Sequence, residues 1–446
     1  MRGDLKLLCL ADVHLGRVPA RLHADLQPRA ADLGPAEAWV RAVNLAVTED
    51  VTAVLLAGDL IDGEDFFEAF SALRDGAKRL AAAGIQIVAV AGNHDPEVLA
   101  RLVQAVPEVK LLGAGGHWEA HDLTHGAATV RLVGWSFPGR WVDTSPLADG
   151  ALAPVLAAAP PSEEAPVVAA IGLLHTDRDQ AGSRYAPVTS AELAGAGVNA
   201  WLLGHVHKPD LDGGDGSGRG YVGGYLGSLT SNDPGEPGPR GAWLLELDSS
   251  GALSMTHKPL APLRWETLQL DVSDLGRPDE LPGLVISSLE ELSQRLASEG
   301  ADPVAVGCRL VLSGRTPFRN ELRELLRSDP PGAALLRLDG VDYFVDEVRV
   351  TAVPALDLEA LAQSDDPLGL LAARVVALRS PGSPLRDRLV AAATPRLEEL
   401  RARSDFGGPG NPPVTEDEVV ELLEEAALKA LDALQQQRAG DEGVSA

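Results

Sequence analysis

Cysteine is almost absent from this 446-residue chain: Cys9 and Cys308 are the whole complement, each set in an apolar run and far apart in sequence. That excludes a disulfide framework and a cysteine zinc site, and both thiols are expected to be buried as small hydrophobes. Long apolar runs are also lacking. None approaches the roughly 18–20 residues that a membrane helix needs. The opening Met1-Arg2-Gly3-Asp4 runs directly into an apolar stretch with no room for a secretion signal, so a cytoplasmic location is expected. Positive charge is scarce as well. Thirty-eight basic against 65 acidic side chains give a formal charge of −27, the opposite of the footprint of a free-standing nucleic-acid binder. Any nucleic-acid contact must use a local cluster of cations, metal ions or a partner. Aromatic residues make up 4% of the chain. Trp39, Trp118, Trp135, Trp141, Trp201, Trp243 and Trp265 are scattered rather than arrayed for base stacking, and most are expected to pack.

What is present is ordinary globular composition, 45% hydrophobic and 23% charged, in a chain long enough for two or three domains at about 150 residues each. Up to residue 247, short β-rich apolar runs alternate with helical stretches at 36–49 and 66–83. This is the pattern of strands buried on both faces and layered by helices. The expected architecture is α/β: a layered β-sandwich flanked by helices over residues 1–262, a small α+β domain over 263–353, and a helical C-terminal region. The last comprises a helical segment 354–403, a linker 404–413, and an amphipathic helix and tail 414–446. Thr316 and Pro317 read as the cap and first position of a helix. Thr415 to Glu418 form a capping box for the final helix, which carries Val420, Leu423, Ala427, Leu431 and Leu434 along one side.

Five motifs carry the chemistry: Asp12-Val13-His14, Gly58-Asp59, Gly92-Asn93-His94-Asp95, His175, and Gly204-His205-Val206-His207. Each follows an apolar strand, and in an open α/β sheet the strand carboxyl ends are where ligands gather. If the chain is still extended there, Asp12 and His14 point to one face, as do His205 and His207, giving chelate geometry. A carboxylate such as Asp59 can bridge two cations while imidazoles and an amide oxygen complete each shell, and two metals can stabilise both ends of an in-line displacement at phosphorus. Mixed nitrogen and oxygen ligands without thiolate fit Mn²⁺ or Fe²⁺, with Zn²⁺ also compatible. A single histidine would more often be a buried, hydrogen-bonded residue; the whole set on one rim is not explained by packing, since buried charge is costly without partners.

At these residues the sequence resembles the calcineurin-like metallophosphoesterase superfamily, with all five motifs in family order. The resemblance implies that one metal is held by Asp12, His14, Asp59 and His207, and a second by Asp59, Asn93, His175 and His205. It makes His94 the non-ligand imidazole that stabilises the transition state and donates a proton to the leaving oxygen, oriented by Asp62. Within the superfamily, Tyr185-Ala186-Pro187, Gly204 to Pro209, and Leu226-Gly227-Ser228-Leu229 followed by Glu236 look like the SbcD-type DNA repair exonucleases. Leu312 to Leu322 resembles the capping domain of the YhaO-like branch. Two departures stand out: Asp62 occupies a position where archaeal and eukaryotic relatives have histidine, and Leu226 replaces the usual proline of the turn.

The resemblance implies a two-metal, Mn²⁺-dependent DNA exonuclease or endonuclease acting in DNA repair. Arg17, Arg178, Arg184 and Lys208 are candidate phosphate contacts. It also implies an SbcC-type SMC-like ATPase as partner, with the helix over 416–437 a candidate docking element, and a homodimer that bridges two DNA ends. The alternative is a diesterase acting on a small molecule such as a cyclic nucleotide. His117, His121 and His125, four residues apart, are expected in a hairpin or loop rather than as a further metal site.

Overall fold

The computed structural model describes residues 5–62, 66–126, 128–160, 165–211, 222–248, 252–328, 335–401 and 414–444. The linker expected at 404–413 and most of the Gly- and Asp-rich loop 210–220 lie outside them. Two compact units account for the chain. The first comprises Met1–Leu270, Pro282–Val311 and Leu326–Arg349, and the second Asp271–Leu281, Leu312–Leu325 and Val350–Ala446.

In the first unit, β1 (Leu5–Leu10), β2 (Ala53–Ala57), β3 (Gln86–Val90) and β4 (Val109–Leu111) alternate with helices α1 (Pro35–Thr48), α2 (Phe66–Ala82) and α3 (Pro96–Ala105). The chain then builds a separate sheet from β5 (Trp118–His125), β6 (Ala128–Trp135), β7 (Val167–His175), β8 (Ala200–Gly204) and β9 (Val222–Tyr225). It returns to the first sheet as β10 (Gly241–Leu247) and β11 (Leu253–Pro259). The six-stranded order is β11-β10-β1-β2-β3-β4, parallel from β1 to β4 and antiparallel at β10 and β11; the five-stranded order is β5-β6-β7-β8-β9.

The unbroken apolar character of β1 follows from this layering. Leu8 and Leu10 pack towards α1, α2 and α3 with Trp39, Val43 and Leu73. Leu7 and Cys9 face the other way and meet Leu132, Ile171, Leu173 and Leu202 of the second sheet. A strand with water on one side would have alternated polar and apolar. The order of layers is therefore helix, sheet, sheet, with the short helices Leu152–Leu156 and Ser190–Gly195 on the outer face of the second sheet, and both parallel sets end at the same rim: β1, β2, β3, β7 and β8 each deliver one of the five motifs.

A four-stranded sheet completes this unit, with β12 (Leu263–Asp271), β13 (Ala305–Ser313), β15 (Leu336–Leu338) and β16 (Val341–Val350) in the order β12-β13-β16-β15. Its Trp265, Ala305 and Phe344 bury Leu22, Leu26 and Leu33 of the segment after the first motif. Cys9 and Cys308 are both buried and free. In the second unit, Arg315–Thr316 is a short strand, β14, paired in parallel with β17 (Val353–Pro354). The helix that follows starts at Arg319, not at Pro317. Thr316 caps no helix; the ladder with Pro354 holds it, and its hydroxyl accepts from the Phe318 amide at 3.2 Å. The C-terminal helix Glu416–Val444 opens on the expected capping box, with Thr415 and Glu418 exchanging amide bonds. Its Ala427, Leu431 and Leu434 pack with Leu368, Ala372 and Val375 of the helix Pro367–Leu378. Arg315 ties the same helix by a two-pronged bond to Asp432 at 2.7 and 3.0 Å.

Candidate metal centre

The five strand ends bring the motif residues into one buried cluster. Asp12, His14, Asp59, Asn93 and His175 are 5% exposed or less, and three groups of ligand atoms converge: Asp12, His14 and His207; Asp12, Asp59 and His175; and His14, Asp62 and His94. His14 Nε2 and His207 Nε2 face each other at 3.1 Å. Asn93 Oδ1 lies 3.0 Å from His175 Nε2 and 3.1 Å from His205 Nδ1, joining the residues of the second expected ligand set. His175 Nε2 is also 3.4 Å from Asp59 Oδ2. His94 stands beside the cluster, its Nδ1 2.8 Å from Asp62 Oδ1 and its Nε2 3.9 Å from Asp59.

The convergence does not come from pleated strand geometry, which was the sequence expectation for Asp12 and His14. β1 ends at Leu10, and Asp12, His14, Asp59 and His205 all have positive φ, at 48°, 52°, 48° and 101°. Four of the nine non-glycine residues with positive φ among the described residues are thus in this cluster. Such conformations cost about 1–3 kcal/mol each and persist only where the surroundings over-determine them. Here the loops after β1 and β2 run side by side, with bonds from Asp12 N to Gly58 O (3.1 Å), His14 N to Asp59 O (3.0 Å) and Leu15 N to Leu60 O (2.9 Å). The motif glycines allow the close approach: a Cβ on Gly58 would lie 2.4 Å from His175 Nδ1, and one on Gly92 would lie 2.1 Å from Asp59 Oδ1.

Carboxylates and a backbone carbonyl outside the cluster fix three of its imidazoles, those of His175, His205 and His207. His175 Nδ1 donates to Ala57 O at 3.1 Å, which turns Nε2 towards Asp59 and Asn93. His207 Nδ1 bonds Glu236, and His205 Nε2 lies 3.3 Å from Asp177. Asp95, fully buried, accepts the amides of Leu60 and Gly92 at 2.8 Å and so ties two motif loops together. Carboxylates that orient metal-binding imidazoles are a recurrent outer layer of such centres. Asp95, Asp177 and Glu236 were given no role from sequence. Asp177 carries a weak signal, a carboxylate two residues beyond His175; Glu236 lies too far from His207 in sequence for the pairing to be read.

The electrostatics fit a pair of cations. Burial pushes the His14 imidazole down to about 3 and so keeps it neutral, and its Nδ1 is buried with no hydrogen-bond partner. Burial opposes a charge on His175, yet Asp59 and Asp12 carry it up to about 9. Burial likewise opposes ionisation of Asp59, and the imidazoles around it, His175 foremost, hold it below the ordinary carboxylate range. Burial and then the Asp59 charge push Asp95 up to about 7. With protein groups alone, a proton on His175 meets the surplus of carboxylate; divalent cations would meet it with nitrogen and oxygen ligands already in place.

The four candidate phosphate contacts diverge. Arg17 is tied to Asp62. Arg178 is drawn under the surface by Asp210 and lies over the Tyr225 ring at 5.0 Å. Lys208, beside His207, and Arg184 are exposed. His117, His121 and His125 do not converge: β5 carries the last two, and His121 bonds Gln86 at 2.9 Å.

Fold and site define a class, the metal-dependent phosphoester hydrolases. Residues 5–209 match the calcineurin-like phosphoesterase family, a metallophosphoesterase fold that binds two divalent metals. Residues 265–351 match the middle domain of the metallophosphoesterase YhaO. The chain is similar to the uncharacterized metallophosphoesterase YhaO of Bacillus subtilis strain 168, 27% identical over 339 residues, 71% of this chain and 74% of the relative. Among solved structures it is similar to a dimetal phosphatase from Danio rerio, at 15% identity, TM-score 0.37, over 55% of this chain and 93% of that one. It is also similar to the calcineurin-like phosphoesterase YfkN from Bacillus subtilis, at 14% identity, TM-score 0.38, over 58% of this chain and 92% of that one. No helix among the described residues is long and apolar enough to cross a membrane.

Proposed function

We propose that this chain is a two-metal DNA nuclease of the SbcD type, cleaving phosphodiesters in DNA repair with Mn²⁺ as its metal. The observation that carries the hydrolytic part is the seven-residue cluster of Asp12, His14, Asp59, Asn93, His175, His205 and His207 with the His94–Asp62 pair at its edge. Two cations held by those seven residues would supply Lewis acidity to the phosphate and activate water. His94 is one-third exposed at the mouth of the cluster, where it can reach a substrate oxygen. Its Nδ1 is fixed by Asp62, which leaves Nε2 to hold a proton and pass it to the leaving oxygen. Arg17 occupies the other oxygen of Asp62 and keeps that carboxylate in place.

The DNA part rests on the motif flanks and the YhaO-type middle domain. With a net charge of −27, duplex affinity has to come from exposed cations such as Lys208 and Arg184 or from a partner. An SMC-like ATPase is the proposed partner. Ala427, Leu431 and Leu434 of the C-terminal helix pack within its own unit, and the rest of the helix over 416–437 is the proposed docking element.

The test is degradation of end-labelled linear duplex and single-stranded DNA with Mn²⁺, beside bis-p-nitrophenyl phosphate, for wild type and His94→Ala. DNA loss that His94→Ala abolishes with metal content intact supports the nuclease. Turnover of the small ester alone, unchanged by adding the ATPase, would overturn it in favour of a small-molecule diesterase.

A further inference from the structure

Trp141 departs from the packing expected of tryptophans here. Trp39, Trp118, Trp135, Trp201 and Trp265 are buried, whereas Trp141 is 61% exposed. Lone exposed apolar residues are common, but this one stands on a fixed backbone beside the metal centre. Val142 donates to Arg184 O at 2.9 Å and accepts from Ala186 N at 2.7 Å, pairing the segment with Arg184–Ala186. Between them the Tyr185 ring lies against His205, with centroids 4.5 Å apart. An open cavity of about 660 Å³ is lined by Trp141, Asp143, Gly182, Ser183 and Arg184. Ser183 donates to Asp177, the carboxylate 3.3 Å from His205. The cavity is therefore two side chains from a candidate metal ligand.

Its lining is chemically selective. The indole offers a flat π-face, with the Arg140 guanidinium carbon 5.5 Å from its ring centre. Asp143 repels phosphate but accepts N–H groups of the kind found on base edges. Arg184, exposed and paired with no carboxylate among the described residues, offers a fork for a phosphate oxygen. In a chain this acidic, stacking also has the merit of needing no positive charge.

We infer that the cavity is a nucleobase subsite: the base of the nucleotide next to the scissile phosphate stacks on Trp141, its edge facing Asp143, while Arg184 takes a phosphate oxygen. This rests on reading the adjacent centre as a phosphodiesterase, and it narrows the substrate class to nucleotide esters.

Two assays separate the claims. In the first, binding of thymidine 5′-monophosphate and of decathymidylate to the metal-free full chain is titrated by calorimetry, for wild type, Trp141→Phe and Trp141→Ala. Saturable binding that Trp141→Ala removes and Trp141→Phe weakens supports the subsite. Equal affinity for the two ligands would then name a mononucleotide ester as its source, and tighter binding of the oligomer a polynucleotide. In the second, thymidine 5′-(p-nitrophenyl phosphate) and methyl p-nitrophenyl phosphate are compared with Mn²⁺ present. Trp141→Ala should raise KM for the nucleoside ester by about 5- to 150-fold, the range for loss of one base stack, and leave the methyl ester unchanged. Titrations and KM values identical to wild type in both variants would overturn the subsite. If wild type hydrolysed neither ester, the hydrolase reading would fail while the titration still decided the subsite.

Discussion

His94 Nδ1 lies 2.8 Å from Asp62 Oδ1, and Arg17 holds the other oxygen of the same carboxylate. The arrangement fixes the imidazole ring and turns its free nitrogen towards the cluster, 3.9 Å from Asp59 Oδ2, where a proton donor to a bound phosphoester has to stand. Replacing His94 with alanine should therefore lower kcat on DNA by about 10²–10⁴, with two metals still bound. With a p-nitrophenolate leaving group, which needs little protonation, the loss should be much smaller. Asp62→Asn should fall between wild type and His94→Ala, since it keeps the ring but loses its charged partner. Equal losses on both substrates would count against the acid role.

Glu236 spans two contacts, bonding His207 Nδ1 with one oxygen and accepting the Asn232 amide at 2.9 Å with the other. Glu236→Ala should leave the fold intact and weaken metal affinity by about 10- to 100-fold, the usual effect of removing such a support. Calorimetric titration with Mn²⁺ would show it, and Glu236→Gln should recover part of the loss because it can still accept from the imidazole. An affinity equal to wild type would show that His207 needs no such support.

Gly58 has φ of 91° and no room for a side chain, since its Cβ would sit 2.4 Å from His175 Nδ1. Gly58→Ala combines a strained backbone with a clash against a proposed ligand. It should cost about 2–3 kcal/mol of stability and displace His175. The chain should then melt earlier and bind less metal, readable in one thermal scan with and without Mn²⁺.

His257, in β11, belongs to none of the five motifs and packs against Trp243 with ring centroids 4.9 Å apart. Burial, then the Arg264 and Arg240 charges, push its imidazole down to about 4, and its Nε2 is buried without a partner. An unfolded histidine takes up its proton near pH 6.5. Between those values the unfolded chain binds a proton that the folded chain refuses, so stability falls as pH drops from about 6.5 to 4 and levels off below, by up to about 3 kcal/mol. Urea unfolding of the metal-free protein at pH 8 and pH 4.5 should show this drop, and His257→Phe should remove that part of it. A variant with the same pH dependence as wild type would contradict the assignment.

The strands and the motif residues were legible from sequence because both depend on local pattern. Continuous apolar runs mark strands buried on two faces, and a ligand-type residue immediately after such a run has to lie at the rim. The backbone that makes Asp12 and His14 converge was not legible. Two residues apart reads as one face of an extended strand, whereas the chain turns through positive φ at both, held by amide bonds to the loop after β2. Nor could sequence give Glu236 to His207, or Asp177 to His205, because those pairs are made by tertiary proximity. Trp141 reads like any other tryptophan until the exposure of its ring is known.

The account turns on whether this cluster binds two cations side by side. Metal-stripped protein should be reconstituted with Mn²⁺, its bound metal counted by elemental analysis, and its electron paramagnetic resonance spectrum recorded for wild type and Asp59→Asn. Two Mn²⁺ per chain with an exchange-coupled spectrum, lost when Asp59 can no longer bridge, is the predicted result. One ion per chain with an uncoupled spectrum, or the same coupled spectrum in Asp59→Asn, would contradict it.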